Sequence, residues 1–165
     1  MRRLAVCISL VTVLGSVFAE TLTGARVVSS NETISEKVTG SGYFVVDSGA
    51  TLTLSNPEND FTGGVIVSNG VVQADEEGAL GSGVIKFQGA DAQRQVVFNK
   101  SGATFANNYE IYDRAAPSSY PALLANESVT LTGDFTGGQN LFIQAAANKT
   151  LTCEGDINLG TAQLY

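Results

Sequence analysis

Residues 52–88 read LTLSNPENDFTGGVIVSNGVVQADEEGALGSGVIKFQ. Leu52 and Leu54 alternate with Thr51 and Thr53, which puts both leucines on one side of an extended strand. A loop follows, then Phe61-Thr62-Gly63-Gly64 and the β-branched run Val65–Val67. Asn69-Gly70 leads into Val71–Ala74, and a small-residue turn at Gly78, Gly81 and Gly83 leads into Val84–Gln88. Short β-rich runs closed by Gly, Asn, Asp and Ser read as strands joined by tight corners. Each unit carries an apolar ridge, such as Leu52 and Leu54 or Ile85 and Phe87, that it cannot enclose alone. Stacking unit on unit buries the ridges and pairs backbone groups along the stack. Glycine suits the corners because it takes positive φ and has no Cβ to clash. Asn69-Gly70 is also an antiparallel hairpin signal, so turn chemistry alone leaves a meander or sandwich open.

The same pattern extends in both directions. Further β-rich runs lie at Arg26–Ser29, Tyr43–Asp47, Gln95–Asn99, Ala103–Ala106, Tyr109–Tyr112, Ser128–Leu131, Leu141–Gln144 and Thr150–Cys153. Past the first twenty residues no window keeps a helical apolar period over three turns; Tyr120–Asn126 reads as a single helical turn after Pro121. Thr-Leu-Thr opens at residues 21, 51, 130 and 150, and Ser-Gly-Ala-Thr recurs at 48–51 and 101–104. Phe-Thr-Gly-Gly recurs at Phe135, Thr136, Gly137 and Gly138, 74 residues after its first copy. That interval divides into three coils of about 25 residues, which would stack the two turns on one edge. At ~4.8 Å per coil, about six coils make a rod of ~30 Å.

Composition narrows the function. Arg2 and Arg3, the apolar run Leu4–Leu14 and the small residues before Glu20 describe a secretory signal cleaved after Ala19. Cys7 lies inside the apolar run, not at its end, unlike a lipid-anchored cysteine. Removing Arg2 and Arg3 takes the formal charge from −7 to −9, which argues against a nucleic-acid partner. Only Cys153 then remains, so no internal disulfide forms. With no histidine, Ser-His-Asp and Cys-His mechanisms and His-based metal sites are excluded.

Three turn signatures occur in order: Phe61-Thr62-Gly63-Gly64, Asn69-Gly70 before a β-rich run, and Gly78-Ala79-Leu80-Gly81-Ser82-Gly83. Together they resemble the autotransporter-associated β-strand repeat of bacterial surface proteins, with a weaker copy near Val129–Gln144. The resemblance implies a passenger-like stalk or adhesin segment whose repeats support secretion and folding, with no catalysis and no cofactor. Proteins of that family end in an outer-membrane β-barrel, for which this chain has no room. The expected fold is all-β: a right-handed parallel β-helix (β-solenoid) over residues 20–165, after a signal peptide at residues 1–19. The alternative is a β-sandwich or meander. Expected partners are the Sec export machinery and signal peptidase, host or environmental glycans, and further coils of its own chain. The expected location is the cell surface, outer membrane-associated or extracellular. Thr161–Tyr165 stops in a strand-like segment, so the natural product is expected to continue beyond Tyr165.

Three groups of residues invite a chemical reading. Asp75-Glu76-Glu77 has the oxygen ligands of a calcium site but lacks the Gly-Asp spacing of calcium β-rolls, and reads better as a solvated turn. Lys86, Arg94, Lys100 and Arg114 are scattered singly, and Glu110 and Asp113 fall on opposite faces of a regular strand, a poor arrangement for a polysaccharide-degrading enzyme. Tyr109, Tyr112, Tyr120 and Phe105 flank a loop at Ala115–Pro121, where aromatic rings either hold a glycan or pin the loop to the rod. The polar stretch from Ser29 to Gly40 reads as an irregular amino-terminal cap. Asn31, Asn99, Asn126 and Asn148 form glycosylation sequons of the kind that arise by chance in so Asn-, Ser- and Thr-rich a chain.

Overall fold

The computed structural model describes residues 19–89, 93–112 and 120–165, so the expected signal segment lies outside the described residues apart from Ala19. The chain winds in successive coils. The first holds β1 (Glu20–Leu22), β2 (Ala25–Val28) and β3 (Glu32–Ile34), and the second β4 (Val38–Gly40), β5 (Tyr43–Val46) and β6 (Ala50–Leu54). The third holds β7 (Val65–Val67) and β8 (Gly70–Ala74), the fourth β9 (Ile85–Phe87) and β10 (Arg94–Phe98). The fifth holds β11 (Thr104–Phe105), β12 (Tyr109–Ile111) and β13 (Leu123–Ala125), the sixth β14 (Val129–Leu131), β15 (Phe135–Gly137) and β16 (Ile143–Ala145). β17 (Leu151–Cys153) and β18 (Ile157–Asn158) begin another.

The strands stack into three flat sides. One is a seven-stranded sheet, β2-β5-β7-β9-β12-β15-β18, and another a six-stranded sheet, β3-β6-β8-β10-β13-β16. The third side comprises β1-β4 and β11-β14-β17. Between these two pieces, single bonds continue the ladder: Asp60 N–H to Val38 O, Thr62 N–H to Gly40 O and Ser82 N–H to Phe61 O. All described pairings are parallel, each to the coil before or after. The protein is a parallel β-solenoid of about six turns, and no sandwich or meander forms. Asn69-Gly70 joins β7 to β8 in different sheets, a corner and not a hairpin.

Alternation along each strand sends every second side chain inward, where register lines them into columns. One runs Phe44, Val65, Ile85, Tyr109, Phe135, giving coil lengths of 21, 20, 24 and 26 residues. Another runs Leu52, Val72, Val96, Leu123, Ile143. Aromatic rings meet between neighbouring sides: Phe44 and Phe61 edge to face at 5.4 Å, Phe98 and Phe105 at 4.8 Å. A fully buried ring of this size contributes on the order of 2–3 kcal/mol by area alone, so the columns dominate stability.

Register overrules two sequence-based expectations. Tyr120–Asn126 is not a helical turn: Leu123, Leu124 and Ala125 pair with Val96, Val97 and Phe98, and this pairing outweighs the high intrinsic helix preference of Leu and Ala. Phe135-Thr136-Gly137-Gly138 is not a turn stacked on the first copy, because Phe135–Gly137 forms β15 with Phe135 in the column of Val65. The turn there comes earlier, at Thr132–Asp134. The polar stretch from Ser29 to Gly40 is likewise regular, carrying β3 and β4.

Candidate functional site

The corners show why particular small residues are needed. Gly70 has no positive φ; a Cβ there would stand 2.4 Å from Ala50 O and 2.9 Å from a Val46 methyl. Close approach of coils, not left-handed backbone, excludes a side chain. The corner leading into the seven-stranded sheet repeats this constraint coil after coil: added Cβ atoms would fall 2.4 Å from Gly42 O at Gly63, 2.1 Å from Gly64 N at Gly83 and 1.9 Å from Asn107 O at Gly133. Asn107 interrupts the series, buried, with its amide donating to Gly81 O at 3.1 Å and Gly83 O at 2.8 Å. Among the other predicted turn residues, Gly64, Gly78 and Gly81 do take positive φ, and Phe61 is fully buried.

Side chains on the rod are spent on neighbouring coils. All four lysines pair with a carboxylate one coil away: Lys37 with Asp60 at 2.9 Å, Lys86 with Glu110 at 3.0 Å, Lys100 with Glu76 at 2.6 Å and Lys149 with Glu127 at 2.5 Å. Asp75-Glu76-Glu77 spreads its oxygens over the next coil, Asp75 accepting from Asn99 at 2.7 Å and Glu77 from Thr104 N–H at 3.0 Å. Among the described residues no group of three acidic, Cys or His side chains is arranged to hold a metal. Three sequon asparagines serve the same clasping role. Asn126 donates to Asn99 at 2.9 Å, Asn99 to Asp75, and Asn31 accepts from Thr51 N–H at 2.9 Å. Asn148 is exposed, with φ of 61°.

The tyrosines expected to form a ligand surface do not stay together. Tyr109 is inside the core, because its place in β12 falls on the inner column, and its ring stacks on Phe135 at 4.7 Å and 8°. Phe105 is buried too. Burial, and secondarily the Cys153 thiol, push the Tyr109 phenol well above its ordinary range, and its hydroxyl has no hydrogen-bond partner among the described residues. Burial also pushes the Cys153 thiol up. Tyr112 and Tyr120 are each 50% exposed, at either end of a corner whose residues 113–119, including Asp113 and Arg114, lie outside the described set. Arg94, grouped with the surface cations on sequence, is 1% exposed and in register with Gly70, on an inner column.

The outer surface of the seven-stranded sheet carries a feature the sequence did not single out. Its central outward column runs Val27, Val45, Ile66, Lys86, Glu110, Thr136, apolar over three coils and then polar. Beside it lies a shallow groove of about 280 Å³ lined by Tyr43, Gly63, Ile66, Lys86 and Gln88. The strand period that marks Val45 and Ile66 as outward was legible; their juxtaposition with Lys86 and Gln88 depends on coil register. Comparison with protein-family models, with curated proteins and with solved structures returned no match.

Proposed function

We infer that this chain is a non-catalytic stalk or adhesin-like segment of an exported bacterial surface protein, its coils stacking after secretion. The observation that carries this reading is the parallel solenoid itself, whose described strands stack coil on coil along the rod. The engagement of every lysine in a coil-to-coil pair favours a structural role over a cationic catalytic face. The likeness of the turn residues to autotransporter-associated repeats supports a passenger-like setting. The test is expression of the full chain in a Gram-negative host, with fractionation and amino-terminal sequencing. The reading expects a product beginning at Glu20 and located beyond the inner membrane. A cytoplasmic product that keeps Met1–Ala19 sinks it.

A second reading, contact with a neutral saccharide, is favoured by the groove. Tyr43 and Ile66 offer apolar walls, Gln88 an amide, and Lys86 donors beyond the one given to Glu110. Titration with methyl glycosides of glucose, galactose and mannose, followed by NMR, is expected to move the Gly63 and Lys86 amide signals, and Tyr43→Ala to abolish the effect. Shifts confined to a Tyr112- and Tyr120-dependent set would place contact at the other corner instead, and no shifts would end the reading.

A further inference from the structure

The first coil departs from those that follow in what it sends inward. Each of its strands supplies one aliphatic and one charged residue: Leu22 and Glu20 from β1, Val28 and Arg26 from β2, Ile34 and Glu32 from β3. The three aliphatics are buried. The three charged residues stand in register with Val38, Phe44 and Leu52, all fully buried core residues of the next coil. They converge: Arg26 Nε lies 3.1 Å from Glu20 Oε1, and its Nη2 lies 2.5 Å from Glu32 Oε1. The guanidinium carbon sits 5.4 Å from the centroid of the Phe44 ring. A planar guanidinium combines forked donors with affinity for an aromatic face, so one cation ties together all three sides of the coil.

Resting on the removal of residues 1–19 proposed above, we propose that Glu20, Arg26 and Glu32 form a plug that closes this end of the core and bars a second copy of the chain from stacking on it. A coil laid over the plug would strip water from three ions whose mutual attraction does not repay the loss. Inward-pointing charge is a known protection for a single sheet edge; here it guards three sides of one coil at once.

The test uses Ser30, exposed at the corner between β2 and β3. Ser30→Cys in a Cys153→Ser background, purified as the chain beginning at Glu20 and so without Cys7, is labelled in two batches, one with a donor dye and one with an acceptor, and the batches are mixed. Native columns are expected to give no energy transfer. Glu20→Leu/Arg26→Leu/Glu32→Leu is expected to give transfer that rises with concentration, together with dimers or longer species in sedimentation. Transfer of equal strength with the native plug overturns the proposal, and so does a folded leucine variant that gives none. If circular dichroism shows the triple variant unfolded, Arg26→Met/Glu32→Leu decides on the same readouts.

Discussion

Arg26 and Val65 occupy the same inner column two coils apart, one an ion and the other a buried aliphatic. Ile157 stands far along that column in β18, where it is exposed, as are Leu164 and Tyr165. The strand chemistry around these positions is similar. Between Arg26 and Val65 what differs is whether a described coil lies on each side, and the type of these two residues follows that and not local propensity. A column is therefore one physical object, with rules for its interior that do not hold at its charged end.

That contrast can be broken most severely by exchanging the two residues. Val65→Arg puts an unpaired cation between two apolar layers and is expected to cost several kcal/mol, enough to remove cooperative unfolding in urea, whereas Arg26→Val should cost about 1 kcal/mol or less. Glycine corners give the next largest difference. Gly133→Ala forces a Cβ to 1.9 Å from Asn107 O and is expected to cost about 1–3 kcal/mol. Gly24→Ala in the first coil meets nothing within 4 Å and should stay within about 0.5 kcal/mol in the same denaturation experiment.

Tyr109→Phe sharpens the interior rule in the opposite direction. Deleting a buried hydroxyl without a partner should raise stability by about 1 kcal/mol. Its raised pKa means that the folded state holds the proton where the unfolded state releases it. Stability is therefore whole below about pH 10 and falls as pH rises beyond it, by up to ~1.4 kcal/mol per pH unit. Thermal melts between pH 8 and 11 should show that decline in the native protein and a shallower one in Tyr109→Phe. Smallest of all, Lys86→Gln should lose no more than about 0.5 kcal/mol, a difference that added salt should shrink further.

Much of the solenoid was legible because a period of two needs only neighbouring residues: Leu52 and Leu54, or Ile85 and Phe87, declare their inward side locally. Register was not legible, because a parallel partner lies eighteen or more residues away. The internal repeats illustrate the point. Ser48–Thr51 turns between the seven- and six-stranded sheets, while Ser101–Thr104 turns between the six-stranded sheet and the third side. Both use a positive-φ glycine and a buried alanine, and in both the glycine N–H bonds to the next coil, to Asn69 O and Ser128 O, each at 2.8 Å. The Ser-Gly-Ala-Thr repeat is a solution to a corner, not a mark of coil phase; the two Phe-Thr-Gly-Gly copies share neither, one lying ahead of β7 and the other largely within β15. The misplacement of Tyr109 and Arg94 has the same origin, and so does the invisibility of the groove and the plug in the sequence.

Three residues, 47–49, carry the chain from β5 to β6, yet residues 112–122 make the equivalent passage from β12 to β13. Despite that, Leu123, Leu124 and Ala125 meet Val96, Val97 and Phe98 without slippage. Connector length at this corner is thus decoupled from the alignment of the strands it joins. New sequence can be inserted or trimmed there while the scaffold keeps its frame, so this corner is where diversity can accumulate in a lineage and where a foreign peptide can be grafted for display.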